Sequence, residues 1–217
     1  MSRSRSTNII GFTIPMLLGV LIASCAYGPS RIEPPSISPR GAAGQAMEMH
    51  DADGDGFIAG QELDKVPGLK AAMETVDTDK DQKITADEIA ERVRAWQATR
   101  VGVTAVMCTV TVDGQPLAGA TVTFEPESFL GDGFQPAVSP TDEYGQAYPS
   151  IPKEKRALPD MPPGMPLGFY RVKISKIVKG KEMIPAVYNS ETLLGQQIAP
   201  DDPAVLRHDI RFELKRN

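Results

Sequence analysis

Only two cysteines, one tryptophan and two histidines occur in 217 residues, and aromatics make up 6% of the chain. Two cysteines cannot build the multi-bridge framework that holds small secreted domains together, so stability must come from elsewhere. Basic charge is not in excess. There are 23 Lys and Arg against 28 Asp and Glu, a net of −5, and no clustered basic face that would mark a nucleic-acid footprint. Long apolar runs are also missing. The longest, Ile9 to Ala23, is shorter than the ~20 residues that span a bilayer. Proline and glycine are plentiful, 19 of each, which favours loops and short strands over a helical bundle.

The acidity is unevenly placed. Gly41 to Arg100 holds 13 acids and 7 bases, a net of −6, whereas Val101 to Asn217 holds 14 acids and 12 bases. Residues 51–62 and 77–88 explain the difference. The first stretch reads Asp51-Ala52-Asp53-Gly54-Asp55-Gly56-Phe57-Ile58-Ala59-Gly60-Gln61-Glu62. Alternating aspartates in a tight turn converge their carboxylates, as a hard cation with six to eight oxygen ligands requires. Asp51, Asp53 and Asp55 are the candidate ligands, with the Phe57 carbonyl and both oxygens of Glu62. Gly56 allows the left-handed bend. Ala59 offers no side-chain oxygen, so water takes its place.

The second stretch, 26 residues on, repeats the pattern with Asp77, Asp79, Asp81, the Lys83 carbonyl and Glu88. Ile58 and Ile84 match, as expected for backbones paired in a short β-bridge. Thr85 can add an oxygen. Gln82 stands where glycine is expected, and a side chain there costs about 1 kcal/mol. Lys80 and Lys83 dilute the local negative field. Two Ca²⁺ ions are therefore expected, the second held more weakly. The pair resembles EF-hand calcium loops, which implies helices on either side: Ala43, Ala46 and Met47 before the first, Leu63 and Val66 after it, Leu69, Met73 and Val76 before the second, Ile89, Val93 and Trp96 after it. Pro67-Gly68 should end the intervening helix. His50 reads as a packing residue, and Met47, Met49 and Met73 as core filling rather than a sensor's groove. Loss of Ca²⁺ is expected to unfold this helical pair first, because its carboxylates would repel.

Arg3 and Arg5 precede the apolar Ile9–Ala23 stretch, which ends in Ile22-Ala23-Ser24-Cys25. This resembles the lipobox of bacterial lipoproteins and implies a signal peptide over 1–24 and lipidation of Cys25. Residues 25–40, rich in proline and serine, read as an extended tether.

From residue 101 the periodicity becomes two. Val106, Cys108, Val110 and Val112 alternate with polar positions, and Asp113-Gly114 marks a turn. Ala120–Phe124, Tyr170–Ile174 and Leu206–Leu214 read as further strands. Val110 to Phe124, with its Asp-Gly turn, Pro116-Leu117 and Gly119-Ala120, resembles the opening hairpin of carboxypeptidase-regulatory-like, transthyretin-like domains. Thr141–Gln146, Pro163-Gly164 and Gly168–Val172 resemble later parts of the same family. Ile184–Asn189 resembles a segment of such domains in planctomycete lipoproteins. The implied fold class is multidomain α + β: a small helical EF-hand pair over 41–100, then an antiparallel prealbumin-like, Ig-like β-sandwich over 101–217.

Function follows as an expectation. The chain reads as a non-enzymatic, calcium-binding, lipid-anchored protein of the cell envelope, exported to the periplasmic or outer-surface side. Its partners would be the membrane, through the N-terminal lipid, and an envelope protein or polysaccharide, with no nucleic acid. Alternatives are a dockerin-like calcium-dependent docking module and an accessory subunit of an envelope hydrolase. Cys108 and His208 are the only nucleophile and base worth naming, and Cys108 sits in an alternating strand as core. Lys173, Lys176, Lys179 and Lys181 read as a solvated strand edge and loop, where lysines discourage edge pairing.

Overall fold

The computed structural model describes residues 32–216. The signal segment, Cys25 and the first part of the tether lie outside the described residues. Ser38 starts the first helix: its hydroxyl accepts the Gly41 N–H at 3.1 Å, and Pro39 occupies the first turn, where no N–H is missed. Helix α1 (Pro39–His50) therefore begins two residues before the expected Gly41. Its buried Ala42, Ala43 and Ala46 let it lie close on helix α5 (Ala86–Thr99). Between them run β1 (Ile58–Ala59), the single turns α2 (Gly60–Leu63), α3 (Pro67–Ala71) and α4 (Met73–Val76), and β2 (Lys83–Ile84). Pro67 starts a helical turn rather than following a terminated one, because proline suits the first helical position. Helix α5 (Ala86–Thr99) opens on a reciprocal cap. The Thr85 hydroxyl accepts the Glu88 N–H, and the Glu88 carboxylate accepts the Thr85 N–H. Ile89, Val93 and Trp96, spaced for one face, are buried, and α5 ends at left-handed Arg100.

Two sheets follow. One runs β11 (Gly195–Ile198), β8 (Gly168–Ser175), β5 (Thr121–Pro126), β6 (Ala137–Pro140), all antiparallel. The other runs β12 (Ile210–Leu214), β3 (Cys108–Val112), β4 (Gln115–Pro116), with β7 (Gln146–Ala147) also on β3. A small hairpin, β9 (Ile177–Val178) and β10 (Lys181–Glu182), leaves the end of β8. The inner faces meet: Phe124 of β5 stacks edge-on at 6.0 Å from Phe212 of β12.

In the β segment three expectations change. The last strand pairs parallel with β3, not antiparallel, from Ile210 opposite Cys108 to Leu214 opposite Val112. The start of its expected range is α6 (Pro203–Leu206), because Asp202 caps the Ala204 and Val205 N–H groups and Pro203 follows it. Lys173 does not lie on an edge. It sits on β8, flanked by β5 and β11, and pairs with Glu125 across the sheet.

The helical and β segments share one hydrophobic core. Trp96 packs 4.6 Å from Phe169, on the face of β8 opposite Tyr170, so the start of β8 is covered on both sides. The seam is backbone on backbone. A Cβ at Gly195 would overlap the Pro67 carbonyl, and one at Gly68 would come to 2.7 Å from the Tyr170 nitrogen. Residues 32–37 carry no helix or strand, as their prolines dictate, yet Ile32 lies so close that a Cβ on Gly102 would overlap its carbonyl. Among the described residues, no helix is long and apolar enough to cross a membrane.

Polar groups bind the seam as well. Buried Arg92 of α5 donates two 2.7 Å hydrogen bonds to Asp201 and one to Gln197, which is itself tied to Thr75. Glu127, 4% exposed, accepts the Gly68 N–H at 2.9 Å and lies 3.6 Å from Arg171, which donates to the Lys65 carbonyl. Burial pushes the Glu127 carboxyl up, against the opposing pull of the Gly68 N–H and the Arg171 charge. The unfolded chain then ionises first as pH rises, so stability is lost between the ordinary glutamate value and the raised one. Below both, no loss remains. Glu127→Gln is therefore expected to be more stable than the parent near pH ~7 and indistinguishable near pH ~4, as urea melts at the two values will show.

Candidate metal centre

The two acidic turns fold into the same hydrogen-bonded loop. In the first, Asp51 Oδ1 accepts the Asp55 N–H at 3.1 Å and Oδ2 accepts the Gly56 N–H at 3.1 Å. Asp53 accepts the Asp55 N–H at 3.2 Å, and Asp55 accepts the Phe57 N–H at 3.0 Å. In the second, Asp77 accepts the Asp81 N–H at 3.2 Å and the Gln82 N–H at 2.9 Å. Asp79 accepts the Asp81 N–H at 3.2 Å, and Asp81 accepts the Lys83 N–H at 2.8 Å. Each bond has its counterpart 26 residues away. These bonds turn the aspartates inward, so that ligand oxygens of Asp51, Asp53 and Asp55 lie within 4.8 Å of one another, as do those of Asp77, Asp79 and Asp81.

A glutamate closes each loop. Glu62 accepts the Ala52 N–H at 2.6 Å and, with its other oxygen, the Ala59 N–H at 3.3 Å. Glu88 accepts the N–H and hydroxyl of Thr78 and the N–H and hydroxyl of Thr85 at 2.9–3.1 Å. The Ala52 N–H is the main influence holding the Glu62 carboxyl below its ordinary value. At Glu88 partial burial acts in the opposite sense, but the Thr85 and Thr78 donors together outweigh it and lower the value. Asp79 goes the other way. The Asp81 N–H pulls it down, yet desolvation and the charges of Asp81, Glu88 and Asp77 together raise it.

The loops are joined back to back. Ile58 pairs with Ile84 and Ala59 with Lys83, and both isoleucines are fully buried. The Lys83 ammonium lies 4.3 Å from the Phe57 ring centre, tying together the two residues whose carbonyls are the candidate backbone ligands. Among the described residues, no Lys or Arg forms an ion pair with any of the loop acids. Asp77 is only 7% exposed. Charge of one sign is thus gathered without an ion-pair partner among the described residues. The three donors gathered in each loop are hard carboxylate oxygens, the kind that Ca²⁺ takes.

The loops differ in strain. Gly54 and Gly56 take the left-handed backbone at φ 72° and 88°; in the second loop Lys80 and Gln82 take it at 63° and 65°. Lys80 was missed as a strained position, although aligning the two loops sets it against Gly54. Relieving either residue with glycine is expected to tighten metal binding at the second loop by about 2–5-fold, and Gly56→Gln to weaken the first loop comparably. Calcium titration of the three variants checks this.

His50 stacks edge-on against Phe129 at 6.2 Å. Met47 and Met73 pack against the core, and Met49 is exposed. Cys108 is buried, which pushes its thiol up to about 12. No protein-family model matches the chain, and no curated protein is significantly similar to it.

Proposed function

We propose that this chain is a non-enzymatic, calcium-binding protein of the cell envelope, anchored through a lipid on Cys25. In this reading residues 41–100 are an EF-hand pair that holds two Ca²⁺ ions, and the two facing sheets are a prealbumin-like β-sandwich that serves as a structural or binding module. The observation that carries the calcium reading is that the aspartate-to-backbone hydrogen bonds of the two loops correspond one for one, with the carboxylates gathered and, among the described residues, no loop acid in an ion pair. Asp51, Asp53, Asp55 and Glu62 would hold one ion with the Phe57 carbonyl. Asp77, Asp79, Asp81 and Glu88 would hold the other with the Lys83 carbonyl. The ion's chemistry here is charge neutralisation and crosslinking. It removes the repulsion among the acids and joins the start of each loop to the helix after it.

The docking alternative needs a free helical face for a partner. The face carrying Trp96 is instead taken up by Phe169 of the same chain, which favours a calcium-stiffened unit that fixes the β part relative to the tether. A hydrolytic role would need an activated nucleophile, and a thiol as buried as Cys108 stays protonated at neutral pH. An envelope protein or polysaccharide remains the proposed partner of the β part. Metal analysis of the purified protein tests the reading. Two calcium ions per chain are expected, with Glu62→Gln and Glu88→Gln each losing one; a metal-free parent protein counts against it.

A further inference from the structure

The β9–β10 hairpin has more exposed apolar surface than a tip of its size needs. Ile177 is 69% exposed, Val178 42% and Met183 52%. The tip is stiff: Lys179 and Gly180 form a two-residue turn with φ 50° and 78°, the left-handed geometry that matches strand twist. Pairing of Val178 with Lys181 and Ile177 with Glu182 fixes the two faces. Val178, Lys181, Met183 and Lys176 share one, and Ile177 and Glu182 the other.

Charge follows the same division. Glu182 is the only acid between residues 176 and 183, and its carboxylate is turned into the base of the hairpin. It accepts the Ser175 hydroxyl and, at 2.9 Å, the N–H groups of Lys176, Met183 and Ile184. Lys176 donates to the Ala118 carbonyl at 2.7 Å. None of Lys176, Lys179 and Lys181 has a carboxylate partner among the described residues. The rest of the chain is acidic, so this is a local reversal of sign.

We infer that the β9–β10 hairpin is a contact for an anionic lipid surface, with Ile177, Val178 and Met183 entering the headgroup boundary and Lys179 and Lys181 meeting lipid phosphates. An anionic bilayer offers both complements at once: negative charge at the surface, and an apolar layer beneath that takes side chains while lysines reach back to the headgroups. A soluble polyanion would satisfy the lysines and leave the three apolar side chains in water. The inference does not rest on acylation of Cys25, and the test removes that cysteine.

The full chain carrying Cys25→Ser and Ile177→Cys is labelled at position 177 with a polarity-sensitive fluorophore, buried Cys108 remaining unreactive. A second chain carries the label at exposed Tyr144→Cys instead. On vesicles of phosphatidylglycerol with phosphatidylcholine, the label at 177 is expected to shift to the blue and resist an aqueous quencher, and the label at 144 is not. Lys179→Glu with Lys181→Glu is expected to weaken this binding by about 30-fold or more. The inference is overturned if the 177 label stays quenchable on these vesicles, or if phosphatidylcholine alone protects it equally. It is also overturned if both labels are protected alike, if the charge reversals have no effect, or if a soluble polyanion protects position 177 as well as vesicles do.

Discussion

Saturating calcium is expected to raise the unfolding free energy by about 5 kcal/mol when the free ion stands ~100-fold above both dissociation constants, since each site then contributes about 2.7 kcal/mol. In a chain of this size that is a shift in melting temperature of about 10–20 °C. The structure alters the form of the transition. Read from the sequence alone, chelation should melt the helical pair first and leave the β part standing. Trp96 on Phe169, Arg92 on Asp201 and Gly68 on Glu127 join the two parts through one core. Losing the helices would strip one face of β8 and the edge strand β11. Chelation is therefore expected to lower a single cooperative transition in scanning calorimetry. An unchanged transition temperature would count against bound calcium, and a separate early transition against the shared core.

The second large effect comes from a residue remote in sequence from both loops. Gly195→Ala is expected to cost about 3 kcal/mol, the upper end of the range for overpacking. Its new Cβ would overlap the Pro67 carbonyl and press on the Gly68 nitrogen, and backbone cannot rotate out of the way as a side chain can. The segment it displaces, Lys65 to Ala72, connects the two loops. Calcium affinity should therefore fall in the same variant. Gly44→Ala is the control of opposite sign: it lies in α1 with nothing within 4 Å of the new Cβ, and should stabilise by about 0.5–1 kcal/mol. Chemical denaturation of both variants, with calcium titration of the first, measures the contrast.

The parts that were legible in the sequence are those whose determinants are local. Ligand spacing in a turn depends on neighbours along the chain, so the two acidic loops and the Ile58–Ile84 pair could be read directly. The alternation of Cys108, Val110 and Val112 likewise marks β3, and Val122 and Phe124 mark β5. What stayed hidden depends on distant partners. β11 reads Gly-Gln-Gln-Ile, with no apolar alternation, because its Gln197 is buried through hydrogen bonds to Thr75 and Arg92 rather than by apolar contact. The parallel pairing of β12 with β3 is a choice of register that the pattern of β12 does not specify. The composition change at residue 101 marks a change of secondary structure, and the sequence does not show that Gly195 and Gly68 allow the two segments to meet backbone to backbone. Lys80 was hidden for another reason: its strained backbone shows only when the second loop is set against the first.

Calcium titration of the full chain by isothermal calorimetry tests the central claim most directly. Two binding events are expected, the weaker one at the loop containing Gln82, with Glu62→Gln removing the first and Glu88→Gln the second. No heat on addition of calcium to metal-stripped protein, together with an unchanged circular dichroism spectrum, would contradict it.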